Sequence, residues 1–473
     1  MTDPLRRPTR RTLLAGAASA ALLPAARAFA QDPASGGSAA PAERLVAGPT
    51  SVRLVPEGHP ETAVWAYDGA VPGPVIRIRR GERLRRELVN RLDQPTTVHW
   101  HGIRLPNAMD GVPGISQPPV APGGRFLYDF VAPDPGTYWY HPHVRSWEQV
   151  ARGLAGARIV EEDEAPSVDR DEVLVLDDWR LTETAAIAEG FESLHDRAHA
   201  GRIGNWITVN GEGEPRLPVR PHERLRLRLI NAATARVFRL GVQGLAGRIA
   251  ALDGHALAGP ATFETLTLAP AQRADLIVDV TAEAGGEALL VSFERDGGFA
   301  LVSLSVEGEA RRVPLAAPAP LEPGTVPPLG DLAAARRARL VMEGGAMGGL
   351  ASARLGDETL TLRDLAGRGR AWAFNGRADP PETPLLEAGL GETVRIALVN
   401  RSRWAHAMHL HGHHFREIGA DDAIGPLRDT LLIAPNAETE IAFVADNPGD
   451  WLLHCHMLAH AASGMSTWLR VAV

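Results

Sequence analysis

Three times along this chain a turn leads into a charged residue, an alternating apolar strand and a closing asparagine. The copies are Gly81-Glu82-Arg83-Leu84-Arg85-Arg86-Glu87-Leu88-Val89-Asn90, His222-Glu223-Arg224-Leu225-Arg226-Leu227-Arg228-Leu229-Ile230-Asn231 and Gly391-Glu392-Thr393-Val394-Arg395-Ile396-Ala397-Leu398-Val399-Asn400. Each follows a turn dipeptide, Asp68-Gly69, Asn210-Gly211 or Asn375-Gly376. A pattern recurring at this scale restricts the chain to three copies of one β unit. Short runs of Val, Leu, Ile and Thr, punctuated by 48 Gly and 37 Pro, predict an all-β fold of three consecutive β-sandwich domains. They are placed at 43–163, 164–312 and 336–473, with a Pro/Ala-rich linker over 313–335.

The first and third copies continue in register, because His99 and His409 both lie nine residues beyond the asparagine. Pro135-Gly136-Thr137-Tyr138-Trp139-Tyr140-His141-Pro142-His143 likewise aligns with Pro448-Gly449-Asp450-Trp451-Leu452-Leu453-His454-Cys455-His456. The middle copy has Leu240 where the histidine would stand, which marks it as a metal-free spacer. Ligands confined to the outer copies imply that those two domains meet and share a metal cluster.

Ten of the 17 histidines fall in four clusters: His99 and His101; His141 and His143; His406, His409 and His411; His454, His456 and His460. In a His-x-His pair, alternate side chains of a strand share one face, which suits the ligands of one cluster. The single cysteine, Cys455, cannot form an internal disulfide and sits between His454 and His456, with Met465 downstream. A thiolate, imidazoles and a thioether are the donor set of a blue-copper electron-transfer centre.

These four clusters, in this order, resemble the signatures of the multicopper oxidases, the laccase and cuprous oxidase group, and the resemblance spans nearly the whole chain after its leader. It implies cupredoxin-like Greek-key domains and four copper ions. By that resemblance His406, Cys455 and His460 would hold the type 1 copper, with Met465 as weak axial ligand. His99 and His409 would hold the type 2 copper, and His101, His141, His143, His411, His454 and His456 the type 3 pair. Electrons would enter near His460 and pass through Cys455 to its neighbours, where O₂ becomes water. Asp110 matches the position of a proton-relay acid in the family. The flanks of His460 are Ala459 and Ala461, where relatives often carry acids, so a second proton donor is sought elsewhere, with Glu148 as the candidate. His413 and His414 are read as structural or surface residues, and His195 and His199 as a solvent-exposed pair on a helix.

Thr9-Arg10-Arg11-Thr12-Leu13-Leu14, an alanine-rich run and Ala28-Phe29-Ala30 read as a twin-arginine signal over residues 1–30. That address implies the export machinery as a partner and a periplasmic or otherwise exported location. Without the leader the chain carries a formal charge of −12, which disfavours nucleic acid and anionic membranes as partners, and no stretch reads as membrane-inserted. The expected reaction is one-electron oxidation of phenols or aromatic amines coupled to reduction of O₂, by a monomer. The alternative reductant is Cu(I) or another metal ion, since Gly344-Gly345-Ala346-Met347-Gly348-Gly349 resembles a trimmed methionine-rich insert of copper-detoxifying relatives. A copper-free exported scaffold of the same fold is a remote third reading, and a nitrite reductase would have no use for six type 3 histidines.

Overall fold

The computed structural model describes residues 42–294, 297–311 and 315–473. The leader read over 1–30 lies outside the described residues, as do Val313 and Pro314 of the linker. The fold is all-β and contains three sandwiches in succession. In the first, one sheet is built from Glu43–Val52, Thr62–Tyr67, Arg83–Asn90 and Arg125–Val131, the other from Gly73–Arg79, His99–His101, Gly136–His141 and Gly156–Glu161. The second sets a six-stranded sheet around Arg224–Asn231 against a five-stranded sheet, and the third repeats that plan around Thr393–Asn400.

The repeated asparagine has one structural task in all three copies. Asn90 donates from Nδ2 to the carbonyls of Gln94 and Val120 while its Oδ1 accepts from the Leu92 amide. Asn231 bonds the carbonyls of Arg236 and Leu268 and the Ala233 amide, and Asn400 bonds the carbonyls of Trp404 and Ala434 and the Ser402 amide. A carboxamide offers two donors and an acceptor, so one buried side chain satisfies three main-chain groups where the strand runs out. The preceding dipeptides are hairpin turns. Asp68, Asn210 and Asn375 all have φ near +50° and are followed by glycines at positive φ, as a two-residue turn of this hand requires.

Each strand carrying the repeat pairs in parallel with the first strand of its own domain: Arg83–Asn90 with Glu43–Val52, Arg224–Asn231 with Arg170–Trp179, and Thr393–Asn400 with Arg336–Gly344. The middle copy differs in that it buries three arginines of one strand, Arg224, Arg226 and Arg228. Arg226 bonds Asp275, and Arg228 bonds Asp171 and Thr137 of the first sandwich. A row of arginines can be buried there because carboxylates of the two flanking strands, Asp171 on one side and Asp275 and Asp279 on the other, lie beside them in the same sheet.

Each sandwich has its own apolar core, centred on Trp100 and Tyr128, on Leu227 and Leu276, and on Trp372, Trp451 and Cys455. The connection is not a free tether where it is described. Glu322 pairs with Arg80, and Thr325 donates from Oγ1 to Asp134, so residues 315–335 are fastened at those points to the first sandwich. No helix among the described residues is long and apolar enough to cross a membrane.

Candidate metal centre

Strand alternation sorts the site residues onto two faces. In His406–Leu410, His406, Met408 and Leu410 point into the core of the third sandwich, whereas His409 points to the opposite face. Gly449–Cys455 pairs antiparallel with it, setting His409 opposite His454 and Met408 opposite Cys455. Cys455 therefore faces inward with His406, and His454 and His456 face the first sandwich. There His99–His101 pairs with Gly136–His141, His99 opposite His141.

The two outer sandwiches meet at these faces. His101 stacks on His409 with ring centroids 3.8 Å apart, and His99 lies 4.0 Å from His411. His141 and His143 approach His456 and His454 at 5.0 and 5.1 Å. Ligand atoms gather within 4.8 Å of one another in the sets His99, His101, His409; His101, His141, His456; His143, His411, His454; and, apart from these, His406, Cys455, His460. Met465 is fully buried in the same core as Cys455, and its carbonyl accepts from the Cys455 amide.

The positions of the ring protons decide whether a metal fits. A carbonyl can only accept, so the contact of His454 Nδ1 with the Cys455 carbonyl at 2.9 Å puts the ring proton on Nδ1 and leaves Nε2 bare. His411 Nδ1 faces the Asp110 carboxylate at 2.9 Å, which bares its Nε2 as well, yet the two Nε2 atoms lie 3.1 Å apart. His141, bonded through Nδ1 to the Pro142 carbonyl, directs its bare Nε2 at His456 Nε2, 3.3 Å away, while His456 Nδ1 has no hydrogen-bond partner among the described residues. Burial holds His411 and His454 well below their usual pKa, so a shared proton does not account for the approach of their two bare nitrogens. Facing lone pairs need a cation between them. The Nε2 atoms of His99, His143 and His409 and the Nδ1 of His101 point into the same space with no hydrogen-bond partner among the described residues.

The second set obeys the same logic. His460 Nε2 donates to the His199 carbonyl at 2.6 Å, and His406 Nε2 donates to Ser402 Oγ, whose own hydrogen goes to Asn400 Oδ1. Both Nδ1 atoms are therefore bare; they lie 3.2 Å apart and 3.7 and 3.8 Å from Cys455 Sγ. Burial pushes the Cys455 thiol up to about 12 and His460 down to about 4, so this pocket carries a thiolate only with a bound cation. Two imidazoles and one thiolate, with a thioether in the same core, suit copper.

Asp110 lies against the histidine cluster. Its carboxylate contacts His411 and, at 3.1 Å, His99, and its carbonyl accepts from His99 Nδ1 at 2.8 Å. Gly111 makes that placement possible, since at φ +81° a Cβ there would lie 2.0 Å from the Val98 carbonyl oxygen. Glu148 is a different matter. Although its burial favours the neutral form, hydrogen bonds from Arg145, Arg152 and Gln94 hold its carboxyl below the usual range, so it stays ionised and is a poor proton donor. His413 and His414 are buried and structural: His413 Nδ1 bonds the His411 carbonyl, and His414 Nε2 donates to the Gly102 carbonyl across the sandwich boundary.

His195 is exposed and stacks on His199 at 4.1 Å. Nothing in the sequence signals that the His199 carbonyl caps His460. The segment around Leu194–Ala198 crosses from the middle sandwich and covers that imidazole, tied by Trp372 Nε1 to the Arg197 carbonyl and by the Ala346 amide to the Ala198 carbonyl. Also missed were Asp429 and Thr430, which stand against His101 and His409, and Arg273, which grips Asp429. Trp139 was missed too, and it stacks on His141 at 4.2 Å. The aromatic run Tyr138-Trp139-Tyr140 was a usable signal for the last of these.

Residues 50–165, 170–294 and 356–473 match three family profiles, each described as multicopper oxidase. Multicopper oxidase MmcO of Mycobacterium tuberculosis is 31% identical over 87% of this chain and 84% of its own. The chain belongs to the multicopper oxidase family. As a multicopper oxidase it is a copper-dependent oxidoreductase that passes electrons from a reductant to O₂. A multi-copper oxidase crystal structure from Pseudomonas thermotolerans superposes with a TM-score of 0.78 at 34% identity, covering 91% of this chain and 98% of the other. The crystal structure of Lac15 from a marine microbial metagenome gives 0.75 at 40%, over 91% and 100%. Copper resistance protein A of Pseudomonas syringae pv. tomato is 27% identical over 98% of this chain and 99% of its own.

Proposed function

We propose that this multicopper oxidase is laccase-like and holds four copper ions. His406, Cys455 and His460, with Met465 as weak axial ligand, would take the type 1 ion, and His99 and His409 the type 2 ion. The type 3 pair would fall to His101, His141 and His456 on one side and His143, His411 and His454 on the other. Copper bound there supplies one-electron oxidation of a phenol or aromatic amine and four-electron reduction of O₂ to water. The reading rests on the converging unpartnered nitrogens of buried rings from two sandwiches.

The protein's own groups divide the remaining work. Cys455 belongs to one set while its peptide neighbours His454 and His456 belong to the other, so a continuous covalent path joins them. The cap over His460 keeps bulk water from the electron-entry side. Asp110, touching one ring of each outer sandwich, is placed to accept and release the protons that water formation consumes. The chain is further read as an exported monomer, with its signal over 1–30 and its domains at 43–163, 164–312 and 336–473.

A second reading, oxidation of Cu(I) or another metal ion, has its own support. Met347 is 78% exposed beside Ala346, which bonds the segment capping His460, and His195 is exposed on that segment. A thioether and an imidazole at that surface suit a soft cation. Anaerobic addition of a phenol should bleach the blue absorption of the copper-loaded protein, and oxygen uptake should be faster with phenols than with Cu(I). Persistence of the blue band under phenol, with rapid turnover of Cu(I), would transfer the assignment to the metal-ion reading.

A further inference from the structure

Asp429 is fully buried where the three sandwiches meet. Its Oδ1 lies 3.2 Å from His101 Nε2, on the first sandwich, and its main-chain carbonyl accepts from His409 Nδ1 at 2.9 Å, on the third. Arg273 of the middle sandwich grips the same carboxylate with two parallel bonds, NH1 to Oδ1 at 2.9 Å and NH2 to Oδ2 at 2.5 Å. The other guanidinium hydrogens go to the carbonyls of Thr137, Ala271 and Asp253, so all five donors are used. Arg273 thereby ties residues of all three sandwiches around one carboxylate.

His101 is the ring whose orientation this carboxylate decides. His99 and His409 bond through Nδ1 and leave Nε2 bare, whereas His101 presents Nε2 to Asp429 and leaves Nδ1 bare. An imidazole carries its proton on the nitrogen that has an acceptor, so a carboxylate at Nε2 selects the tautomer with the lone pair on Nδ1. Gly102, at φ +84°, adds an independent sign that the pair is built in. A Cβ there would lie 2.4 Å from Arg273 NH2 and 2.5 Å from Asp429 Oδ2, so a side chain at 102 would exclude the pair from beneath His101.

We propose that Arg273 and Asp429 are positioning residues through which the middle sandwich, which offers no ligand, fixes the tautomer of His101 and the ring of His409. The proposal rests on the four-copper reading above. A flat bidentate guanidinium is required because a lysine could neither hold both carboxylate oxygens in plane nor satisfy three further carbonyls.

The test uses the copper-loaded full chain and measures copper per chain under competition with a graded chelator, the type 2 electron paramagnetic resonance signal and the blue band. Asp429→Leu is expected to weaken retention of cluster copper by about 10–100-fold with the blue band intact. The Cys455 site is unaffected because its donors all come from the third sandwich. Asp429→Asn, which still offers His101 an oxygen, should recover part of the loss, and Arg273→Lys should shift the type 2 signal. Unchanged cluster copper and an unchanged type 2 signal in Asp429→Leu would overturn the proposal. So would parallel loss of blue and cluster copper without recovery in Asp429→Asn, which would mark a general folding role. A wild-type chain that takes up only the blue copper would instead overturn the cluster reading, which is visible before any variant is made.

Discussion

At the residue scale, Asp110 and His255 show two uses of a buried titratable group. Asp110 touches a ring from each outer sandwich, and exchanging its carboxylate for a carboxamide preserves the shape but removes proton transfer. In Asp110→Asn the reoxidation of fully reduced protein by O₂, followed by stopped flow, should slow by about 100-fold or more while phenol still bleaches the blue band at the native rate. His255 has a different role. Neither of its ring nitrogens has a hydrogen-bond partner among the described residues, and it packs at 4.0 Å against His414, with Asp134, Asp429 and Arg273 as the charged groups around it. Burial, reinforced by His414 and Arg273 and opposed by the two carboxylates, holds its pKa well below the ordinary value. The unfolded chain therefore binds this proton first. The stability contributed by neutral His255 is complete above about pH 6.5 and is lost as pH falls below it, by up to about 1.4 kcal/mol per pH unit. Urea midpoints measured at intervals from pH 7 to pH 5 should fall more steeply for the native chain than for His255→Gln.

At the element scale, the repeat strands were legible because they obey local rules: period-two alternation, a glycine turn before and an asparagine after. Asn231 isolates the value of that last feature, since it sits in the sandwich without ligands. Its replacement by alanine strands two carbonyls and an amide at about 1 kcal/mol each, a loss of about 3 kcal/mol. Calorimetry on Asn231→Ala should show a lower Tm, by roughly 10 °C, with copper content unchanged. The four histidine clusters were legible for a related reason, because ligands two residues apart on a strand announce a shared face. Elements that work through distant partners left no such trace. Nothing local to Leu194–Ala198 says that the carbonyl one residue beyond it will cap His460, and nothing near Asp429 names Arg273, 156 positions away, as its partner. Glu148 was misjudged for a different reason: its clamp is local, with Arg145 three residues before it and Arg152 four after, and proximity to His143 was weighed without those neighbours.

At the scale of the whole molecule, the two metal sites differ in what holds them together. His406, Cys455 and His460 all belong to the third sandwich, so that pocket persists as long as the sandwich does. The other histidines belong half to the first sandwich and half to the third, and join only where the two faces touch. The contact is polar at its rim: Arg104 bonds Asp134 of its own sandwich and Asp446 of the third, Asn107 donates to the Asp450 carbonyl at 2.6 Å, and Asn447 donates to the Leu105 carbonyl at 2.9 Å. Interfaces of this kind part at lower free energy than a core such as that around Trp372 and Trp451. In a urea titration of the copper-loaded protein, the type 2 resonance and oxygen uptake should disappear before the blue band does. Arg104→Ala should move the first transition to lower urea and leave the second in place. A single transition shared by all three signals in both proteins would mean that the outer sandwiches and their metal sites fail as one unit, and that the boundary is as strong as the cores it joins.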